Sequence, residues 1–182
     1  PAAACARGAT GAQRPRTSIG RAAPAFARML WGSSMPLAAG ENAMATDPGP
    51  FDLDDVRFVL QPDGTATTKA VGPHFYEELD REFAGFRGCT LVQRFAFREP
   101  WPTWEVHPHG DELVYLLEGA TDFVLRVDDA DRIVRLARPG TYVVVPRGVW
   151  HTARPHAPTV LLFFTPGEGT CNAATPPERA PG

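Results

Sequence analysis

Lysine is almost absent from this chain. Of its eighteen basic residues only Lys69 is a lysine, a bias that a GC-rich genome accounts for before any function does. Cysteine is scarce too. Cys5, Cys89 and Cys171 are odd in number, far apart and without a CxxC pair, so neither a disulfide framework nor a zinc knuckle is suggested. A reducing compartment fits best. Cys89, at the start of a strand-like run, reads as a small core residue rather than a reactive thiol. No stretch approaches the ~18 apolar residues that a membrane-spanning helix needs, so a membrane span is set aside.

Positive charge is lacking where the chain is most patterned. The net charge of -3 hides an asymmetry. Residues 1–49 carry five arginines against Glu41 and Asp47, giving +3, whereas residues 50–182 carry thirteen bases against nineteen acids, giving -6. A domain of that sign lacks the basic face that phosphates of nucleic acid demand. Small-molecule chemistry in the cytoplasm is the better expectation.

Residues 1–49 hold Ala, Arg, Pro, Gly and Ser with few large apolar side chains, too few to offset the entropy cost of ordering, and are expected to be disordered. Pro24, Arg28, Gly32 and Pro36 interrupt any run resembling the ~7–15-residue apolar core of a secretory signal. The Arg-rich, acid-poor character up to Gly40 resembles an organellar transit peptide. The plainer alternative is an upstream extension with no folded role, since Met44 opens MATDPGPF just ahead of the first patterned segment.

From Phe51 the texture changes, and a folded domain is expected over residues 50–166. Val56 to Leu60, a turn at Pro62 to Gly64, and Thr65 to Val71 read as a hairpin. Between Pro73 and Gly88, Phe75, Tyr76, Leu79, Phe83 and Phe86 recur at helical spacing with Glu77, Glu78 and Asp80 near the start, which predicts one short helix against a sheet. Beyond Gly88 come eight short runs rich in β-branched and aromatic residues, broken by Gly, Pro and Asp about every eight to twelve positions. The fold class is therefore all-β. Residues 167–182, rich in Pro and Gly, are expected to form a flexible tail.

Two of these runs carry chemistry: Trp104 to Gly119, WEVHPHGDELVYLLEG, and Gly140 to His151, GTYVVVPRGVWH. Side chains on a strand alternate faces, so Glu105, His107 and His109 should project to one side, with Glu112 and Val114 sharing a side after the turn. His151 on a second strand, just after the PRG turn, would close the set from across a barrel. Imidazoles with one or two carboxylates make a nitrogen and oxygen site suited to iron, manganese, nickel or zinc, with positions left open for water or substrate. The plainer alternative is polar turn chemistry, since an HxH pair also arises by chance.

These two segments resemble the two signature motifs of the cupin superfamily, in the expected order and about the usual distance apart. The first runs H-x-H, three or four residues, E, six residues, G; the second runs G, five residues, P-x-G, two residues, H, three residues, N. The second is matched by Gly140, Pro146, Gly148 and His151, with Pro155 in place of the final Asn. In the first, Glu112 and Gly119 are correctly spaced. Counting four back from Glu112 makes His107 the second family histidine and puts Glu105 in the place of the first. The rival register, His107 with His109, is one residue short. The resemblance thus favours Glu105, His107, Glu112 and His151 as metal ligands, with His109 nearby in the pocket.

It further implies a double-stranded β-helix or jelly-roll barrel, often paired into a homodimer, with Val114, Leu116, Phe123, Leu125, Val143 and Val145 pointing inward. The implied function is a metal-dependent enzyme on a small molecule, of dioxygenase or isomerase type. The alternative is a non-catalytic ligand-binding or sensor cupin acting through a partner, since residues 1–49 show no helix-turn-helix pattern of their own. Trp101 and Trp104 are expected to cap the core, His74 and His156 to be solvated, and Arg94 and Arg98 to lie on a solvated face.

Overall fold

The computed structural model describes residues 48–176. The expectations made for residues 1–47, and for the last six residues of the C-terminal tail, lie outside the described residues. No helix among the described residues is long and apolar enough to cross a membrane.

In chain order the elements are β1 (Val56–Leu60), β2 (Ala66–Ala70), α1 (Phe75–Glu82), β3 (Thr90–Phe97), β4 (Trp104–Val106), β5 (Glu112–Glu118), β6 (Thr121–Val127), β7 (Ala130–Leu136), β8 (Tyr142–Val145), β9 (Trp150–Pro155), β10 (Thr159–Pro166) and β11 (Cys171–Ala173). They form two antiparallel sheets, one of six strands in the order β2-β1-β3-β10-β5-β8 and one of five in the order β11-β4-β9-β6-β7. The order is far from sequential because each sheet interleaves strands from distant parts of the chain. That interleaving brings the two motif segments together.

The inner faces share an apolar core. Val114, Leu116, Phe123, Leu125, Val143 and Val145, the positions expected to point inward, are all buried in it. Each fully buried side chain of this size contributes roughly 1.5–3 kcal/mol of transfer free energy. A smaller cluster joins Val59 and Leu91 of the six-stranded sheet to Phe75 and Leu79 of α1, with Phe86 and Cys89. The helix therefore lies against the sheet, and Cys89 is a buried free thiol, as expected.

Three expectations need correcting. The helix stops at Glu82, short of Phe83 and Phe86. Ala84, Gly85 and Phe86 all take positive φ, so the backbone turns left-handed and Phe86 reaches the core from a turn instead of a helix face. The C-terminal segment is not a free tail from residue 167, because Cys171–Ala173 pairs with β4. A three-residue strand whose hydrogen bonds all come from a distant neighbour leaves no local pattern. Finally, Cys171 is disulfide-bonded, against the expectation of no disulfide.

Candidate metal centre

The site is assembled from both sheets. Glu105 of β4 and His151 of β9 are direct cross-strand partners, so their side chains stand on the same face. Leu125 of β6 flanks His151 on its other side. Glu112 opens β5 opposite Val145 of β8 and projects inward with Val114 and Leu116. His107 follows the end of β4, and its carbonyl accepts a hydrogen bond from Gly148 N–H at 2.8 Å.

The Arg147 N–H donates to Asp111 Oδ1 at 2.8 Å, a second tie between the two segments. Gly148 sits at φ +75°, a conformation in which a side chain would be strained, and so allows the turn that delivers His151. Gly119 is required for a different reason. A Cβ there would run into the Pro158 carbonyl, where the end of β5 crosses close to the start of β10.

Ligand atoms of Glu105, His107 and His151 all lie within 4.8 Å of one another. Glu112 bridges the two histidines, with Oε1 3.4 Å from His107 Nε2 and Oε2 3.2 Å from His151 Nε2. Glu105 Oε1 stands 4.0 Å from His107 Nε2. His109 is not in the cluster. It lies exposed in the turn after β4, packed near Gly169, because strand alternation ends with the strand at Val106.

The donor atoms are poised for a cation. His107 Nε2, His151 Nε2 and Glu112 Oε2 are buried yet make no aligned hydrogen bond, despite the short separations. A buried polar atom without a partner is costly, and three converging on one point fit an ion that all three can share. The opposite ring nitrogens hold the imidazoles in place. His151 Nδ1 lies 3.1 Å from the Val149 carbonyl, which can only accept, so Nδ1 carries a proton and, in the neutral ring, the lone pair of Nε2 faces the site. His107 Nδ1 lies 2.9 Å from Thr170 Oγ1. Thr165 Oγ1 donates to Glu112 Oε1 at 2.6 Å.

Electrostatics agree with this picture. Burial alone would push Glu112 up, but the close approach of His107 and His151 outweighs it and brings its carboxyl down to about 2. Burial pushes His107 down, yet the two carboxylates prevail and hold it above the usual histidine range. Loss of water raises Glu105, helped by Glu112 and opposed by His107 and His151. With both imidazoles neutral and both carboxyls ionised, the four side chains would form a dianionic set that a divalent cation would neutralise.

Residues 92–165 match the family model described as Cupin domain. This segment is a cupin domain. Among solved structures the chain is similar to a cupin-2 domain protein from Shewanella frigidimarina, at 21% identity over 42% of this chain and 70% of that one, with a TM-score of 0.37. It is similar to a protein with a double-stranded β-helix domain from Klebsiella pneumoniae, at 19% identity over 46% of this chain and 74% of that one, with a TM-score of 0.39. A third is hydroquinone 1,2-dioxygenase from a Sphingomonas species, at 18% identity over 41% of this chain, with a TM-score of 0.34. This chain spans 57% of that dioxygenase's length. A search of curated proteins finds no match. The matched residues contribute strands to both antiparallel sheets.

The remaining tempting residues, His156 apart, fall where the plainer readings put them. Trp101 packs against Phe97, Phe123 and Phe163, and Trp104 is buried beneath Arg126. His74 is largely exposed beside Glu77. Arg94 pairs with Asp54 at 2.6 Å, and Arg98 is exposed. His156 is half exposed but bonded to Asp122 at 3.0 Å. Sequence reasoning missed Thr165 and Thr170, which orient the ligands, because both lie more than fifty residues from the side chains they hold.

Proposed function

We propose that this cupin domain holds a divalent transition metal (iron, manganese, nickel or zinc) on His107, His151, Glu112 and Glu105, and is a metal-dependent enzyme acting on a small molecule, of dioxygenase or isomerase type. The observation that carries the reading is the convergence of three orphaned buried donor atoms, with Glu105 beside them. An ion bound there supplies Lewis acidity and, if it is iron, reactivity toward O₂.

The chain's own residues divide the work. His151 is held by Val149 and by stacking on Phe123, at 5.7 Å between ring centroids and 20° between planes, so it acts as a fixed ligand. Glu112 is fully enclosed, with one oxygen committed to Thr165, and its depressed pKa keeps it a carboxylate. Glu105 differs: its side chain is 27% exposed where that of Glu112 is enclosed, so it is the carboxyl placed to take a proton from a substrate or return one. Phe123, Phe163 and Trp101 keep water from the inner wall.

The deciding experiment is elemental mass spectrometry on protein purified without a metal-affinity tag, with His151→Ala as control. Near-stoichiometric metal in the wild type, lost in the variant, supports the reading, and iron directs the next assay to oxygen consumption. No metal above the variant's background overturns it in favour of a ligand-binding or sensor role.

A further inference from the structure

Among the described residues four buried side-chain nitrogen and oxygen atoms lack a hydrogen-bond partner, and the fourth is Arg57 Nε. Arg57 is only 8% exposed, although arginine is seldom buried unless its charge is paired. Its Nη1 donates to Tyr76 Oη at 3.1 Å and to Gln93 Oε1 at 3.0 Å. Both partners are neutral. Burial raises the Tyr76 phenol above its ordinary range; Arg57 opposes that rise and the Glu105 charge adds to it.

The guanidinium plane is also gripped. Its central carbon lies 4.9 Å from the centre of the Phe75 ring and 4.8 Å from that of Phe95. With Nη1 committed and the plane held by rings, the edge formed by Nε and Nη2 is left without a partner. That edge is the fork that meets a carboxylate side-on through two parallel hydrogen bonds.

Register places Arg57 on the inner face of the sheet. Gln93 of β3 pairs with Phe163 of β10, which pairs with Val114 of β5, two residues from Glu112. Val59 of β1 pairs with Leu91 of β3, so Arg57, two residues earlier, shares the face of Gln93, Phe163 and Glu112. A chain of ring contacts then runs from Arg57 to the metal centre: Phe95 to Phe163, Phe163 to Trp101, Trp101 to Phe123, and Phe123 to His151. The wall between the fork and the metal centre is therefore aromatic.

We propose that Arg57 recognises the carboxylate of a small ligand whose flat, apolar body lies along Phe95, Phe163 and Trp101, toward the metal centre. The proposal deepens the metal-enzyme reading and rests on it only for where the ligand's other end goes. Tyr76 and Gln93 are positioning residues that hold the fork open.

The test is isothermal titration of the full chain, as purified, with benzoate and with its neutral isostere benzamide, on wild type, Arg57→Met and His151→Ala, with metal content measured on each. Wild type is expected to prefer benzoate by about tenfold or more, the usual scale of a charge-assisted bidentate pair. Arg57→Met loses that preference with metal content unchanged, while benzamide affinity stays within about twofold. His151→Ala loses metal and keeps the preference. Should Arg57→Met not fold, Tyr76→Phe, which frees one anchor of the fork, is expected to weaken benzoate severalfold and leave benzamide alone.

Wild type that binds the two probes alike, or binds neither, overturns the proposal, as does an Arg57→Met variant that retains the preference. The two readings fail separately. Metal present without benzoate preference sinks the anion site alone, and benzoate preference without metal in any of the proteins sinks the metal reading alone.

Discussion

Thr165 Oγ1 donates a 2.6 Å hydrogen bond to Glu112 Oε1 inside the barrel, where both residues are buried. The bond commits one carboxylate oxygen and leaves Oε2 to face His151 at 3.2 Å. Thr165→Val keeps the shape of the side chain and removes the donor. It should cost about 1–3 kcal/mol in urea unfolding, the penalty of a buried acceptor left unmet. Metal affinity should fall by roughly 10–100-fold, the usual effect of losing such a support. Unchanged affinity in a competition titration with a chelator would remove Thr165 from the site.

The histidines differ in burial, and their variants should differ accordingly. His107→Ala and His151→Ala are each expected to empty the site, whereas His109→Ala, altering an exposed turn residue, should leave metal stoichiometry close to that of wild type. Metal-to-protein ratios across the three variants check this. Loss of metal in the His109 variant as well as in the other two would select the other register of the first motif.

An ion that binds only the folded protein stabilises it by mass action. At free metal about 1,000-fold above its Kd the gain is about 4 kcal/mol. Dialysis against a chelator should therefore lower the melting temperature by several degrees, and returning the metal should restore it. His151→Ala should show neither effect in differential scanning calorimetry.

Asp122 carries the pH dependence that can be assigned a sign. Its carboxylate accepts two hydrogen bonds from Arg135, at 2.8 and 3.0 Å, and lies 3.0 Å from His156 Nε2. Arg135 lowers its pKa against a smaller upward push from burial, and His156 adds to the lowering. A carboxylate with a lowered folded pKa contributes stability that is complete above its unfolded value of about 3.9 and is lost as pH falls through the folded value. Asp122→Asn should thus lower the melting temperature at pH 7 and have little effect once the pH is below both values. An equal loss at both pH values would assign its role to packing.

Gly119 combines φ +82° with a backbone carbonyl where a side chain would begin. Gly119→Ala should destabilise by more than about 1 kcal/mol, because strain and overlap act together. Gly148, also at positive φ but with open space around it, should tolerate alanine better. Paired urea titrations of the two variants check the ranking.

Much of this was legible in the residues. Runs rich in β-branched and aromatic residues, bounded by turn residues, marked Glu112 to Glu118 and Thr121 to Val127 as strands to the residue. The motif spacing singled out the acids and histidines that the fold gathers. Alternation failed where its cause stopped: it carried His109 inward with His107, yet β4 ends at Val106 and the turn sends His109 out to solvent. Helical spacing likewise ran through Phe86 because apolar residues were needed there, although they arrive by a left-handed turn.

The sequence by itself determined which faces are apolar, where strands break, and which side chains could bind a metal, because these depend on residues close together in the chain. Only the tertiary structure decided who stands beside whom. Thr165 beside Glu112, Thr170 beside His107, β11 beside β4, and Arg57 among Tyr76, Gln93 and Phe95 all arise from pairings between strands far apart in sequence. A strand's pattern records the side it shows to the core. It holds no record of the neighbour it will find there, since any strand of matching face can satisfy the same backbone hydrogen bonds.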